Sequence, residues 1–240
     1  MSMLGKLVAE AIGTFTLCFI GAGAICLATH KGFAPGVDLL AIAIAHGIAL
    51  SIAVSATMNV SGGHLNPAVT IAMLVTKRID LAGAIQYVIA QLIGATVAGL
   101  LVLTIFKGMT TASGTQLVQA AGLGTPAFNA PITTGMAILI EAVLTFLLVF
   151  SIFGTAVDPR APKIGGFGIG LTIAADILVG GPLTGAAMNP ARTFGPGIVA
   201  AMTNNLSVFW SQQFVYWVGP VVGAVVAALI YDNLILRKQA

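Results

Sequence analysis

Charge is what this sequence has least of. Ten basic and seven acidic residues are spread over 240 positions, 7% of the chain, whereas a soluble domain carries about 25% charged residues. So few charges cannot cover a water-facing surface of this size. With 58% hydrophobic residues and a mean hydropathy of +1.04, the outer solvent must be lipid. The net charge of +3 comes without any basic cluster. A basic stripe is the footprint of nucleic-acid binding, so that class of partner is excluded. Cysteine is scarce too. Cys18 and Cys26 share the first apolar run, roughly 12 Å apart along a helix and too far for a disulfide. They read as buried thiols. No cluster of metal ligands and no nucleophile–base set occurs, which argues against an enzyme and against a cofactor.

The first apolar run, 7–28, is longer than the 7–15 residues usual in a signal peptide, and it contains Glu10. A copy of it occurs mid-chain, where no signal peptide could be. Residues 10–19 read EAIGTFTLCF and 141–150 read EAVLTFLLVF; 66–70 read NPAVT and 189–193 read NPART; YVIAQLIGATVAGLL at 87–101 matches YWVGPVVGAVVAALI at 216–230. The offsets are 131, 123 and 129, so one unit is duplicated in order. The reading is a single domain, 1–240, with repeats at about 1–106 and 134–240 joined by an external loop, 107–133.

Each half holds three apolar runs of spanning length: 7–28, 39–59 and 82–106, then 134–157, 164–182 and 210–234. Three spans per half is odd, so the second copy enters the membrane from the other side as an inverted repeat. Basic residues test the orientation. With both termini cytoplasmic, the inner segments hold Lys6, Lys77, Arg78, Arg160, Lys163, Arg237 and Lys238, and the outer ones only Lys31 and Lys107. Arg192 belongs to neither set.

Two apolar segments, 66–76 and 189–201, are too short to cross. Each follows a glycine-bearing loop and opens with Asn then Pro, a favoured cap and first helical residue. The inverted repeat makes these half-helices meet N-terminus to N-terminus near the midplane. Irregular backbone at that depth is tolerated where protein buries it or it lines a water-filled cavity. The carbonyls of Gly62, Gly63, His64 and Leu65, and of Gly185, Ala186, Ala187 and Met188, can then accept hydrogen bonds from a passing file. The amides of Asn66 and Asn189 can donate to a water oxygen at the centre, where two positive dipole ends disfavour cations and protons.

A single Asn-Pro-Ala is a three-residue accident. Two copies, Asn66-Pro67-Ala68 and Asn189-Pro190-Ala191, in matching places of a duplicated three-span unit are close to diagnostic. The loops SGGHLNPAVT and GAAMNPARTFGP resemble the two signature loops of the aquaporin, or major intrinsic protein, family over essentially the whole chain. GGPLTGAAMNPARTFGP and VYWVGP are especially similar to plant tonoplast intrinsic proteins and archaeal aquaporins. The resemblance implies an all-α membrane protein: a right-handed bundle of six transmembrane helices plus two re-entrant half-helices, assembled as a homotetramer in a lipid bilayer. It also implies a selectivity filter at His46, Ile177, Ala186 and Arg192. Strict water channels of the family have an aromatic at the first position and histidine at the second, so Ile177 and Ala186 imply a wider, less polar filter. Water is then joined by small neutral solutes such as ammonia, urea or glycerol. Glycerol facilitators typically have Asp in place of Thr193 and Pro-Leu in place of Tyr216-Trp217, which argues against a dedicated glycerol channel. The expected location is the cell membrane.

Buried acids need partners. Glu10 and Glu141 are symmetry mates, expected to brace the loops before the half-helices. Asp176 has no such explanation. It is either neutral and hydrogen-bonded, or at a wet vestibule, or a pH-sensitive gate. An ion-coupled secondary transporter is the alternative from another class, since such proteins also use inverted repeats and broken helices. Ala186 occupies the position where mercury-sensitive relatives carry a filter-loop cysteine. Mercuric ions should therefore inhibit osmotic flux only weakly, and strong block reversed by thiol would contradict that expectation.

Overall fold

The computed structural model describes residues 1–30, 38–203 and 210–236; Lys31, Arg237 and Lys238 of the charge count lie outside the described residues. Polar caps mark where apolar runs become helices. Ser2, Asp38, Asp80 and Thr133 each accept a hydrogen bond from a first-turn amide, which satisfies a donor that the helix itself leaves open. They open α1 (Met3–Thr29), α2 (Leu39–Ser61), α4 (Leu81–Phe106) and α6 (Thr134–Ile152, continued as a π-helical turn to Val157). Asn66 and Asn189 open the half-helices α3 (Pro67–Val75) and α8 (Pro190–Met202). The short α5 (Leu117–Ala120) lies between α4 and α6. The remaining spans are α7 (Phe167–Thr184) and α9 (Val215–Ile230, continued as a π-helical turn to Leu236).

Six helices are long and apolar enough to cross a membrane, and no strand forms among the described residues. The chain is an all-α, multi-pass integral membrane protein. Three starts differ from the hydropathy reading by three residues or more, and of these α9 opens at Val215 rather than near 210. The Ser2 cap starts α1 at Met3 rather than near residue 7. The left-handed backbone of Gly165, φ +58°, delays α7 to Phe167.

Packing repeats with the duplication. α1 lies against α2 and α4 as α6 lies against α7 and α9, and α2 crosses α7 between the halves. The half-helices are exchanged: α3 packs chiefly on α9, and α8 on α4. Lipid offers no hydrophobic drive for helices to associate, so close backbone approach through small residues must hold them together. A Cβ on Gly47 would stand 2.7 Å from the Gly170 carbonyl oxygen, and one on Gly170 would overlap the Gly47 carbonyl. Gly94 sits on the carbonyl of Ala11 and Gly223 on that of Ala142, the same contact made once per half.

At the end of the bundle that holds the α3–α4 turn and the end of α9, Arg78 pairs with Asp232 at 2.8 Å and lies over the Phe153 ring. Asp158 accepts from Arg160 and from the Tyr231 hydroxyl. The Arg160 guanidinium, helped by its backbone amide, holds the Asp158 carboxyl well below the usual carboxylate range. A depressed pKa means this tie is intact at neutral pH and is lost only as pH falls through the folded-state value.

Gly94→Ala and Gly223→Ala should each lower the thermal midpoint of the solubilised protein, since overpacking costs about 1–3 kcal/mol. Gly135→Ala, where a Cβ meets nothing within 4 Å, should not. Equal midpoints for all three would show that these crossings do not depend on glycine.

Candidate functional site

The two Asn side chains tie the half-helices together. Asn66 Oδ1 accepts from Ala68 N at 2.9 Å, and its Nδ2 donates to the Met188 carbonyl of the other half at 2.8 Å. Asn189 does the same in reverse, accepting from Ala191 N and donating to the Leu65 carbonyl at 2.9 Å. Each amide nitrogen carries two hydrogens, so one N–H per Asn is left over. Both Asn residues line a narrow cavity of about 20 Å³. It shares Gly63, His64, Val54, Val69 and Ile169 with a wider cavity of about 190 Å³ that reaches Met58, Met73 and Val157. Leu65 and Met188, expected among the lining carbonyls, therefore each give one acceptor site to the opposite Asn.

The loops that lead to this point are left-handed at Gly62, Gly63 and Leu65, and again at Gly185, Ala186 and Met188. Non-glycine residues seldom adopt such φ values, and their pairing across the repeat shows one conformation built twice.

The four residues expected at the outer constriction are all buried. Two of them touch. His46 Nε2 lies 3.4 and 3.3 Å from Arg192 Nε and Nη2, while its Nδ1 meets the Ile42 carbonyl at 2.8 Å. Ala186 packs towards Gly180 of α7, one turn from Ile177. The offset of 123 that relates Asn66 to Asn189 carries Val54, Gly63, Val69 and Ile169 onto Ile177, Ala186, Arg192 and His46. All four mates line both inner cavities.

A family model described as major intrinsic protein matches residues 1–231. The chain belongs to that family. Among curated relatives, aquaporin TIP4-4 of Zea mays is 42% identical over 237 residues, covering 96% of this chain and 86% of the relative. A probable aquaporin TIP3-2 of Arabidopsis thaliana is 41% identical, covering 95% and 82%. The solved aquaglyceroporin from Plasmodium falciparum superposes with a TM-score of 0.86 at 28% identity, covering 99% of this chain and 98% of that one. These relatives are aquaporins, not enzymes.

In this major intrinsic protein the two glutamates hold the irregular loops. Glu10 accepts from the Ser61 hydroxyl, His64 N, Leu65 N and Gln91 Nε2, at 2.6–3.0 Å. Glu141 accepts from the Thr184 hydroxyl, Ala187 N and Met188 N over the same range. Tyr87 and Tyr216 close each loop by donating to the carbonyls of Ser61 and Thr184 at 2.7 Å. The sequence reading missed the supporting hydroxyls and tyrosines, although Tyr87 and Tyr216 open the matched third-span segments.

Asp176 is buried, and its Oδ2 meets no donor from the protein. Arg192 Nη1 is likewise without a partner.

Glu141→Ala should abolish folded protein, because three buried donors lose their acceptor at about 1–3 kcal/mol each. Glu141→Gln keeps an acceptor and should retain partial yield. Gel-filtration recovery of the two variants checks this, and normal recovery of the Ala variant would remove the bracing role.

Proposed function

We propose that this chain is a passive transmembrane channel for water whose relaxed filter also passes ammonia, urea or glycerol and excludes protons and ions. The observation that carries this reading is the mapping of His46, Ile177, Ala186 and Arg192 onto four residues that line the inner conduit. It supports placing the quartet on the conduit wall at the mirrored, outer depth, independently of resemblance. The relatives named as aquaporins and the aquaglyceroporin-like fold agree with a pore for small neutral molecules.

At the centre, the spare N–H of Asn66 and of Asn189 would each donate to one permeating oxygen. Both half-helix N-termini point at the same place, so a cation or a proton meets positive potential from both sides. At the filter, the His46 Nδ1 contact requires the ring proton on Nδ1. Nε2 is then an acceptor already occupied by Arg192. The guanidinium supplies donors, and Ile177 and Ala186 supply width.

The two halves act as one domain in this reading, supported by the exchange of half-helices between them. A homotetramer rests on family resemblance alone. Cytoplasmic termini rest on the charge asymmetry, which sets orientation but does not choose a membrane; nothing in the TIP-named relatives favours the cell membrane over an internal one. Ion-coupled transport has a single supporting observation, the unpartnered Asp176 Oδ2.

Proteoliposome stopped-flow under osmotic, ammonia, urea and glycerol gradients tests the proposal. A channel gives a low activation energy with no saturation and no counter-ion dependence. Ile177→His should cut urea and glycerol flux several-fold while sparing water. Saturable, ion-dependent uptake would favour the transporter instead, and an unchanged solute profile in Ile177→His would remove that residue from the filter.

A further inference from the structure

We propose that Gly21, on α1, is a fifth determinant of the outer constriction: having no side chain, it seats the His46 ring against α1 and out of the path. This deepens the filter reading above and rests on it.

The ring of His46 occupies the volume that a side chain at position 21 would need. The three atoms nearest to a Cβ built on Gly21 all belong to that ring; Cδ2 would be at 2.6 Å and Cε1 at 2.9 Å, with Nε2 closer still. This sets Gly21 apart from the glycines at helix crossings. Gly94, Gly195 and Gly223 would meet the backbone of a neighbouring helix, whereas Gly21 meets the side chain of a filter residue. The ring is also held at Nδ1 by the Ile42 carbonyl and at Nε2, the atom nearest to Gly21, by Arg192, so its position is set jointly by α1, α2 and α8.

The duplication gives a second, independent argument. The offset of 131 that relates Glu10 to Glu141 carries Gly21 onto Ile152. Ile152 lines both inner cavities beside Ile169, the mate of His46. Position 21 is thus a wall position. At the inner end both mates carry isoleucine, and at the outer end one carries imidazole and the other only hydrogen.

Carbon atoms in contact sit about 3.5–4.0 Å apart, so a methyl group at position 21 displaces the ring by roughly 1 Å. It can move only away from α1, into the constriction or off Arg192. Gly21 is therefore a positioning residue that acts on permeants through His46.

The test is a double-variant cycle in proteoliposomes, with the urea-to-water permeability ratio as readout. Gly21→Ala should lower the ratio several-fold, and the same change in a His46→Ala background should leave it unmoved. If His46→Ala alone does not alter the ratio, the filter reading falls, and this proposal with it. If His46→Ala alters the ratio but Gly21→Ala has no effect, or the same effect in both backgrounds, only the role of Gly21 is overturned. Should Gly21→Ala not assemble by itself, restored assembly in the double variant supports the proposal, and continued failure overturns it.

Discussion

A backbone amide in hydrocarbon must find an acceptor, and two loops of this protein break helical pairing inside the membrane. The amides of His64 and Leu65, and of Ala187 and Met188, find no helical acceptor. Glu10 and Glu141 take them up, reaching across from α1 and α6 to the loops of the same half. Everything at the pore depends on this. The carboxyl groups fix the loops, the loops fix the entry of α3 and α8, and those entries let each Asn amide reach the opposite carbonyl. A charge-bearing group is costly in lipid, and its presence is explained only because several donors converge on it.

The duplication repeats the left-handed loop backbone and is loose in side chains. Gln91 gives Glu10 a fourth donor, while its mate is Pro220 and Glu141 manages with three. The inner ring Val54, Gly63, Val69 and Ile169 has no charge. On the proposed reading, its outer counterpart carries His46 and Arg192. One scaffold solved the backbone problem twice, which left the outer ring free to diverge without disturbing the loops.

Much of this was legible in the sequence. The repeats EAxxTFxLxF and NPA gave the inverted topology, the half-helices and the pairing of Glu10 with Glu141, because a duplication leaves a pattern that needs no distances. Boundaries such as Met3 and Phe167 were less legible, since they hang on one cap or one left-handed glycine. The direction of the Asn66 and Asn189 side chains was hidden, because each amide chooses between a permeant and a carbonyl over 120 positions away. Gly21 was invisible for a different reason: its meaning lies in what another helix places in its empty space.

On the proposed reading, the central barrier and the filter are separable in physical terms. The centre is built from backbone, helix ends and two amides that are locked by bonds across the repeat, so changes in the outer ring need not reach it. On the proposed reading, the filter adds a second criterion. His46 has spent its lone pair on Arg192, and the guanidinium offers only donors. To bond the filter side chains a permeant must therefore bring its own acceptor. Water, ammonia, urea and glycerol each have one. Ammonium has none, and it meets a fixed positive charge as well. Discrimination between ammonia and its conjugate acid then follows from hydrogen-bond capacity and from charge together, while discrimination among the neutral solutes is left to the space between Ile177, Ala186 and the seat of the His46 ring.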